Sequence, residues 1–230
     1  MAKGIKEQTS IVDKRAAILE RLEAAAKRAG RQDMPTLVAV SKVQPDDRVQ
    51  EMLEAGQNVF GENRVQEAQT RWGKTFESER ENIRLHLIGP LQTNKAEDAV
   101  KLFDVIETVD REKLIKALLK AAEKVGTMPR FLVQVNTGEE PQKSGILPQD
   151  LGAFLARLKS EYNQKPSGLM CIPPLDEAPS PHFWLMQKMA EKHELSTISM
   201  GMSGDYETAI AMGATHIRVG SALFGARNYA

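Results

Sequence analysis

The stretch LVAVSKVQPDDRVQEMLEAGQNVF, residues 37–60, holds an apolar β-rich run, then a helical repeat, then a second β-rich run. The run at 37–42 has the composition of a strand, and the segment near 46–55 has helical spacing and stops at Gly56. A strand, a helix and another strand in this order predict a βαβ unit, because parallel neighbouring strands need a long connection. The same pattern continues along the chain.

Strand and helix patterns alternate from residue 37 to the C-terminal region. The predicted strands are at residues 37–42, 58–60, 84–88, 105–109, 131–136, 167–172, 197–200 and 216–219. The predicted helices are near residues 46–55, 64–72, 95–103, 111–124, 148–159, 181–192 and 206–212. One amphipathic helix precedes them, with apolar residues at Ile11, Ile18, Leu22, Ala25 and Ala29 and an end at Gly30.

Eight β/α units predict the α/β class and a single-domain (β/α)8 TIM barrel over residues 1–230, with an extra N-terminal helix. An open doubly wound sheet is the alternative. No change in composition marks a linker, and residues 137–144, rich in Gly, Glu, Pro and Lys, are predicted to be the least ordered stretch. In a barrel, functional residues are expected just after the strand ends.

The composition excludes several classes of protein. Lys+Arg and Asp+Glu both total 31, so no net charge attracts nucleic acid or an anionic membrane. The single cysteine, Cys171, excludes an intramolecular disulfide and a multi-cysteine zinc site, and we interpret it as a buried hydrophobic residue. Residues 1–10 lack the apolar core of a signal peptide, and no run approaches the roughly 20 apolar residues that span a bilayer. We expect the protein to be cytoplasmic and monomeric.

Lys42 closes the first predicted strand, where alternation turns it to the same side as Val38 and Val40. In a barrel that side is the interior, where desolvation lowers the pKa of a lysine and leaves an amine able to form a Schiff base with an aldehyde. The alternative is a surface lysine at the start of the loop before Pro45.

The C-terminal region has two turns of small residues, Ser203-Gly204 and Gly220-Ser221, each placed after a strand and before a helix. Barrels often bind a phosphate between the loops after strands seven and eight, although turns also need glycine and serine for structural reasons. Arg218 lies inside the last strand and therefore needs an acceptor. This acceptor is either an acidic side chain across the barrel or a ligand atom.

Polar residues also lie on or after the second and third strands, at Asn63 and His86. Each of them is either a core or capping residue or a ligand-binding residue. The other histidines, His182, His193 and His216, form no metal-ligand spacing with each other or with the cysteine, so no metal site is predicted.

Six segments in this order resemble the pyridoxal 5′-phosphate homeostasis proteins, the YggS/PROSC family. They are VAVSK at 38–42, FGENRVQE at 60–67, HLIGPLQTNK at 86–95, SGLMCIP at 167–173, MGMSGDYETAI at 200–210 and RVGSALFGAR at 218–227. The resemblance runs from about residue 10 to the C-terminus and is more specific than any single motif.

The resemblance implies a barrel of the alanine racemase N-terminal type that holds pyridoxal 5′-phosphate (PLP) as an internal aldimine on Lys42. It implies that Met202, Ser203, Gly220 and Ser221 form the phosphate-binding turns. It also implies that Arg218 faces the pyridine nitrogen. Asn63, His86 and Met170 match motif positions expected near the cofactor.

The function implied is PLP binding and intracellular PLP homeostasis without substrate turnover, with PLP-dependent apoenzymes as potential recipients. The sequence is not expected to hold the second, β-rich domain that supplies an acid or base in alanine racemases, so no catalytic residue is assigned. The alternatives are a PLP-dependent amino-acid racemase, in which His86 or Tyr206 supplies the second proton-transfer group, and a PLP-loaded regulatory binding module.

Overall fold

Eight parallel strands close into a barrel in which each strand pairs with the next and the last pairs with the first. The computed structural model describes residues 10–225. The strands are β1 Thr36–Val40, β2 Val59–Glu62, β3 Arg84–Leu87, β4 Val105–Val109, β5 Arg130–Val135, β6 Gly168–Cys171, β7 Thr197–Ser199 and β8 His216–Val219. The closed order confirms the predicted (β/α)8 barrel and rules out the open doubly wound sheet.

Two predictions fall on parts of the chain outside the described residues. The absence of a signal peptide concerns mainly residues 1–9, and the end of the 218–227 motif lies beyond residue 225. Within residues 10–225, no helix combines the length and the apolar character that crossing a bilayer requires.

The α-helices pack on the outside of the barrel, where α2 to α8 connect consecutive strands, α1 precedes β1 and α9 follows β8. They are α1 Ile11–Arg28, α2 Asp46–Glu54, α3 Val65–Thr70, α4 Ala96–Leu102, α5 Glu112–Val125, α6 Leu151–Tyr162, α7 Pro179–Lys192, α8 Tyr206–Ala211 and α9 Ser221–Phe224. The helix predicted near 64–72 departs most from its expected form, because it changes after Thr70 into a π-helical turn, Arg71–Thr75. A 3-10 turn, Glu77–Asn82, follows it.

The predicted N-terminal amphipathic helix is α1. Ser10 caps it, since the Ser10 Oγ accepts a hydrogen bond from the Asp13 amide at 3.0 Å. Its buried side includes Ala26 and not the predicted Ala29, which is exposed. The reason is that the helix ends at Arg28, so Ala29 lies at the C-cap and no longer follows the helical repeat.

Alternation along the strands separates two environments. Outward-facing residues such as Leu85, Leu87 and Ile106 belong to the large core between barrel and helices. Inward-facing residues form a small apolar cluster of Val105, Leu132 and Met170. The rest of the barrel interior includes buried polar residues, and these carry the chemistry described below.

The first two strands differ from the predicted bounds at their ends. Strand β1 stops at Val40, two residues before Lys42, because the chain turns after the Ser41 amide has bonded to the Gly61 carbonyl at 3.1 Å. Strand β2 continues through Gly61 to Glu62. Gly61 is accommodated inside the barrel wall, where a Cβ atom would lie only 3.0 Å from Val38 Cγ1 and 3.1 Å from Ile88 Cδ1.

Gly168, the first residue of β6, is predicted to be intolerant of any side chain. A Cβ atom there would lie 1.8 Å from the Thr197 carbonyl oxygen, which belongs to the backbone of β7 and cannot move aside alone. We expect Gly168→Ala to lower the free energy of unfolding by about 1–3 kcal/mol or more, measured by urea titration. Gly73→Ala is the control, because a Cβ atom at Gly73 has no neighbour within 4 Å. Equal stability of the two variants would contradict the prediction.

Candidate functional site

A cavity of about 530 Å³ opens at the carboxyl ends of the strands, a size typical of small-molecule sites. Residues on or after β1, β2, β3, β5, β6, β7 and β8 line it. Seven of the nine residues predicted from the sequence to bind a cofactor are among them: Lys42, Asn63, Met202, Ser203, Arg218, Gly220 and Ser221. The fold therefore brings together residues that are up to about 180 positions apart in the chain, as loops at this face of a barrel do.

Lys42 lies on the turn directly after β1 and is half-buried. It lines the cavity together with Val40, the last residue of the strand. The inward direction predicted by alternation is therefore correct, although the residue itself lies beyond the strand end. Lys42 therefore brings a primary amine to the lining of the cavity.

The two small-residue turns meet across the gap between β7 and β8. The Ser203 Oγ accepts hydrogen bonds from the amides of Gly220 and Ala222, each at 3.4 Å. Ser203, Gly204, Gly220 and Ser221 all line the cavity. Hydroxyl groups and backbone amides gathered in this way favour an anion such as a phosphate.

Arg218 is buried and reaches from β8 across the barrel interior to the cavity. Its guanidinium donates to the Ser199 Oγ at 2.6 Å and to the Cys171 carbonyl at 2.7 Å, and it lies 3.8 Å from Glu107 Oε2. Both predicted kinds of acceptor are therefore possible for Arg218. The acidic side chain of Glu107 faces it across the barrel, and Arg218 also lines the cavity, where a ligand atom would meet it. Its direction is set by groups on three other strands.

Glu107 is the centre of the polar network inside the barrel. It is fully buried, accepts from the Ser199 Oγ at 2.6 Å and lies 2.6 Å from His86 Nδ1. Burial acts to raise its pKa, but His86, Arg218 and Ser199 outweigh that effect and lower the pKa to about 2. This residue was not predicted from the sequence, although a lone acidic residue within the apolar strand VIETV is a usable signal.

The stability of the fold is predicted to decrease in acid because of His216. Its ring centroid lies 5.8 Å from that of His86. Burial, with smaller contributions from neighbouring cations, lowers the pKa of His216 from 6.5 to about 4. Between these two pKa values the unfolded chain therefore binds more protons than the folded chain. The contribution of His216 to the free energy of unfolding is complete above the unfolded-state pKa and decreases as the pH falls toward the folded-state pKa. Urea unfolding at neutral pH and near pH 5, compared between wild type and His216→Gln, measures this. An unchanged pH dependence in the variant would contradict it.

His86 and Met170, both predicted to lie near the cofactor, do not line the cavity. Both are buried one layer deeper in the barrel, where Met170 packs against apolar side chains and His86 bonds to the interior carboxylate. The residues that line the cavity instead are Ile88 and Ile172, each two positions further along the sequence. Residues two positions apart on a strand point to the same side of it, but their depths in the barrel differ by roughly 6–7 Å. The sequence pattern does not reveal that depth.

The loop after β5 also contributes to the cavity. It includes the stretch 137–144, which has no helix or strand. The Asn136 side chain bonds to the Glu140 carbonyl at 2.9 Å, and Glu140 forms an ion pair with Lys143. Gln142, Lys143 and Ser144 line the cavity. A second lysine is therefore present in the site.

Two further predictions concern residues with no direct part in the cavity. Cys171 is buried, and burial raises the pKa of its thiol to about 12, so the interpretation of Cys171 as a buried hydrophobic residue is correct. Within residues 10–225, no cluster of three or more His, Cys, Asp or Glu side chains is arranged to hold a metal ion.

Residues 14–228 match the family of the alanine racemase N-terminal domain. The pyridoxal phosphate homeostasis protein of Vibrio cholerae is 39% identical over 225 residues, which cover 92% of this chain and 94% of that protein. The protein of the same name from Escherichia coli K12 is 35% identical over 225 residues, covering 93% of this chain and 95% of that protein.

The barrel is also similar to solved structures. PipY of Synechococcus elongatus PCC7942, solved with PLP bound, is 34% identical with a TM-score of 0.80, and the match covers 94% of this chain and 100% of PipY. An alanine racemase of Clostridium difficile 630 is 15% identical with a TM-score of 0.65, covering 90% of this chain and 56% of the racemase. At that identity the second likeness concerns the fold alone.

Proposed function

The chain belongs to the alanine racemase N-terminal domain family and, within it, to the pyridoxal phosphate homeostasis proteins, and we propose that it binds PLP in the cavity at the carboxyl ends of its strands. Its role is in intracellular PLP homeostasis. The relatives' names and the PLP bound to PipY support this assignment. The whole chain, residues 1–230, is assigned to this one PLP-binding barrel.

One observation carries the proposal, namely that a primary amine and an anion-binding pair of turns face the same cavity. PLP supplies an aldehyde that condenses reversibly with amines, and a phosphate that needs hydrogen-bond donors. Lys42 provides the amine, and the turns at Ser203-Gly204 and Gly220-Ser221 provide hydroxyl groups and backbone amides. No carboxylate is among the described residues that line the cavity, so a phosphate meets no like charge there.

The residues predicted to bind the cofactor take different proposed parts. Lys42 holds the cofactor covalently as a Schiff base, and Met202, Ser203, Gly220 and Ser221 hold the phosphate. Arg218 faces the pyridine nitrogen, to which it donates a hydrogen bond but no proton, because arginine stays protonated at any relevant pH. Asn63 lines the same cavity beside the lysine turn. His86 and Met170 act from the layer below, through the network that orients Arg218 and through packing.

We propose that the protein holds and releases PLP without turning over a substrate. The ionisable side chains among the described residues of the cavity are Lys42, Lys143 and Arg218. His86 lies below the cavity with its Nδ1 bonded to a carboxylate, and Tyr206 is buried against α1 with Arg21 5.2 Å from its ring. Neither candidate for a racemase's second proton-transfer group therefore faces the cavity. Reversible linkage to a half-buried lysine suits delivery to PLP-dependent apoenzymes by a cytoplasmic monomer.

The decisive experiment is borohydride reduction of the PLP-loaded protein followed by peptide mapping. We expect a visible absorption band that disappears on reduction, and one fixed adduct, on Lys42. Incubation with amino acids in D₂O tests the second part of the proposal. Deuterium uptake at the α-carbon at enzyme-like rates would overturn the absence of turnover, and a missing adduct on every lysine would overturn the covalent linkage.

A further inference from the structure

The turn that carries Lys42 contains a strained residue. Val43 has a φ of 58°, in the left-handed region that β-branched residues rarely adopt. Such a conformation costs of order 1–3 kcal/mol and persists only where the surroundings hold it. Val43 is 59% exposed, so burial of its own side chain does not compensate. Other groups must therefore hold the turn in place.

Arg71 holds both ends of this turn. Its guanidinium donates to the carbonyl of Ser41 at 2.8 Å and to the carbonyl of Gln44, the residues on either side of Lys42 and Val43. The Gln44 amide also bonds to the Ser41 carbonyl at 3.0 Å, which closes the turn. Side-chain bonds to both ends of a four-residue turn restrict its backbone, and with it the direction of the lysine.

Arg71 is itself fixed by a buried ion pair. Its Nη1 lies 2.7 Å from Oε1 of Glu62, a fully buried carboxylate at the end of β2. The same Oε1 accepts from the Ser41 Oγ at 2.7 Å and from Trp72 Nε1 at 3.2 Å. Arg71 begins the π-helical turn, an irregularity often found at functional sites. The network lies outside the barrel wall and contacts the turn that carries Lys42.

We propose that Arg71, anchored by Glu62, is a positioning residue that keeps Lys42 directed into the cavity and thereby sets the rate of covalent PLP attachment. The inference rests on the proposed function, since it concerns the same lysine. Without the Arg71 bonds the turn keeps the bond from the Val43 amide to Glu67 but loses the group that joins its two ends. The turn then relaxes from the strained Val43 conformation, and Lys42 samples directions away from the cavity. Small losses of alignment reduce reaction rates by about tenfold to a hundredfold.

The test compares Arg71→Lys and Arg71→Met with wild type. The lysine variant keeps a positive charge beside Glu62 and is expected to fold, but one ammonium group does not reproduce the fork that reaches both carbonyls. We expect formation of the borohydride-trapped adduct on Lys42 to slow by about tenfold in Arg71→Met and by a smaller factor in Arg71→Lys. Asp46→Asn is the matched control, because Asp46 bonds to the outer side of Arg71 at 3.0 Å and does not touch the turn.

Two further measurements separate positioning from general damage to the fold. In PLP-free protein, competitive acetylation of Lys42 across a pH range, followed by mass spectrometry, reports the reactivity of the amine itself, and we expect it to change in both Arg71 variants. Adding Val43→Gly to either Arg71 variant is expected to restore part of the rate, because glycine adopts a positive φ without strain.

The outcomes distinguish this inference from the proposed function. Wild-type adduct rates and wild-type acetylation of Lys42 in folded Arg71→Lys would overturn the positioning role, as would the absence of any rescue by Val43→Gly. If wild type forms no adduct on Lys42, the covalent linkage is wrong. The acetylation profiles still decide in that case whether Arg71 directs the lysine.

Discussion

Lys42→Ala is expected to remove the proposed covalent attachment of PLP to the protein. The variant is expected to show no visible imine band and no adduct fixed by borohydride, because the remaining cavity groups bind the phosphate and ring without forming a bond to the aldehyde carbon. We expect this variant to retain PLP only weakly. The thermal stabilisation that PLP gives to wild type is also expected to shrink, since stabilisation by a ligand follows its affinity.

The controls for this prediction are the other lysines near the site. Lys143→Ala removes the second amine of the cavity, and Lys95→Ala removes a lysine on the loop after β3 that does not line it. Both variants are expected to keep the band and the adduct. A band that persists in Lys42→Ala and disappears in Lys143→Ala would move the linkage to the loop after β5 and would contradict the assignment.

Glu107→Leu is predicted to be among the most destabilising single substitutions in the barrel. It leaves the guanidinium of Arg218 buried without its facing carboxylate, and it also removes the hydrogen-bond partner of Ser199 and His86. Breaking a buried ion pair by deleting one partner costs about 3–5 kcal/mol, so we expect a loss of that size in urea unfolding.

Glu97→Gln is the matched control on the surface. Glu97 forms ion pairs with Lys101 and Lys124 on the exposed surface, where solvent screening keeps their contribution to stability small. The double variant Glu107→Leu/Arg218→Met is expected to recover part of the stability, because it removes the uncompensated charge. If Glu107→Leu unfolds at the same urea concentration as Glu97→Gln, the interior network does not support the fold as we infer.

Most of the fold could be predicted because each β/α unit carries local signals. Strand β4 lies at the predicted residues, and β8 does as well, because each is a short run with β-branched residues that is bounded by turn residues. The greatest departure, at Arg71–Thr75, involves a π-helical turn, which has no simple periodic signature. Ends of elements such as β1 depended on contacts with the next strand.

The candidate site could be predicted only in part. Lys42 and the two serine-glycine turns were identifiable because each follows or ends a predicted strand, where barrel loops converge. Arg218 was identifiable because an arginine inside a strand needs an acceptor. Glu107 and Arg71 were missed because their importance lies in partners that are distant in sequence. Glu107 meets Ser199 across the barrel, and Arg71 meets the lysine turn, which lies 30 positions earlier in the chain.

The amino-acid sequence by itself determined the alternation of strands and helices, the side of each strand that faces inward, and the residue types available at the strand ends. The tertiary structure alone decided the depth of each inward residue, so that Ile88 and Ile172 line the cavity while His86 and Met170 lie beneath it. The physical reason is that alternation is a local property of the backbone, whereas depth depends on the register between neighbouring strands and on the closure of the whole barrel.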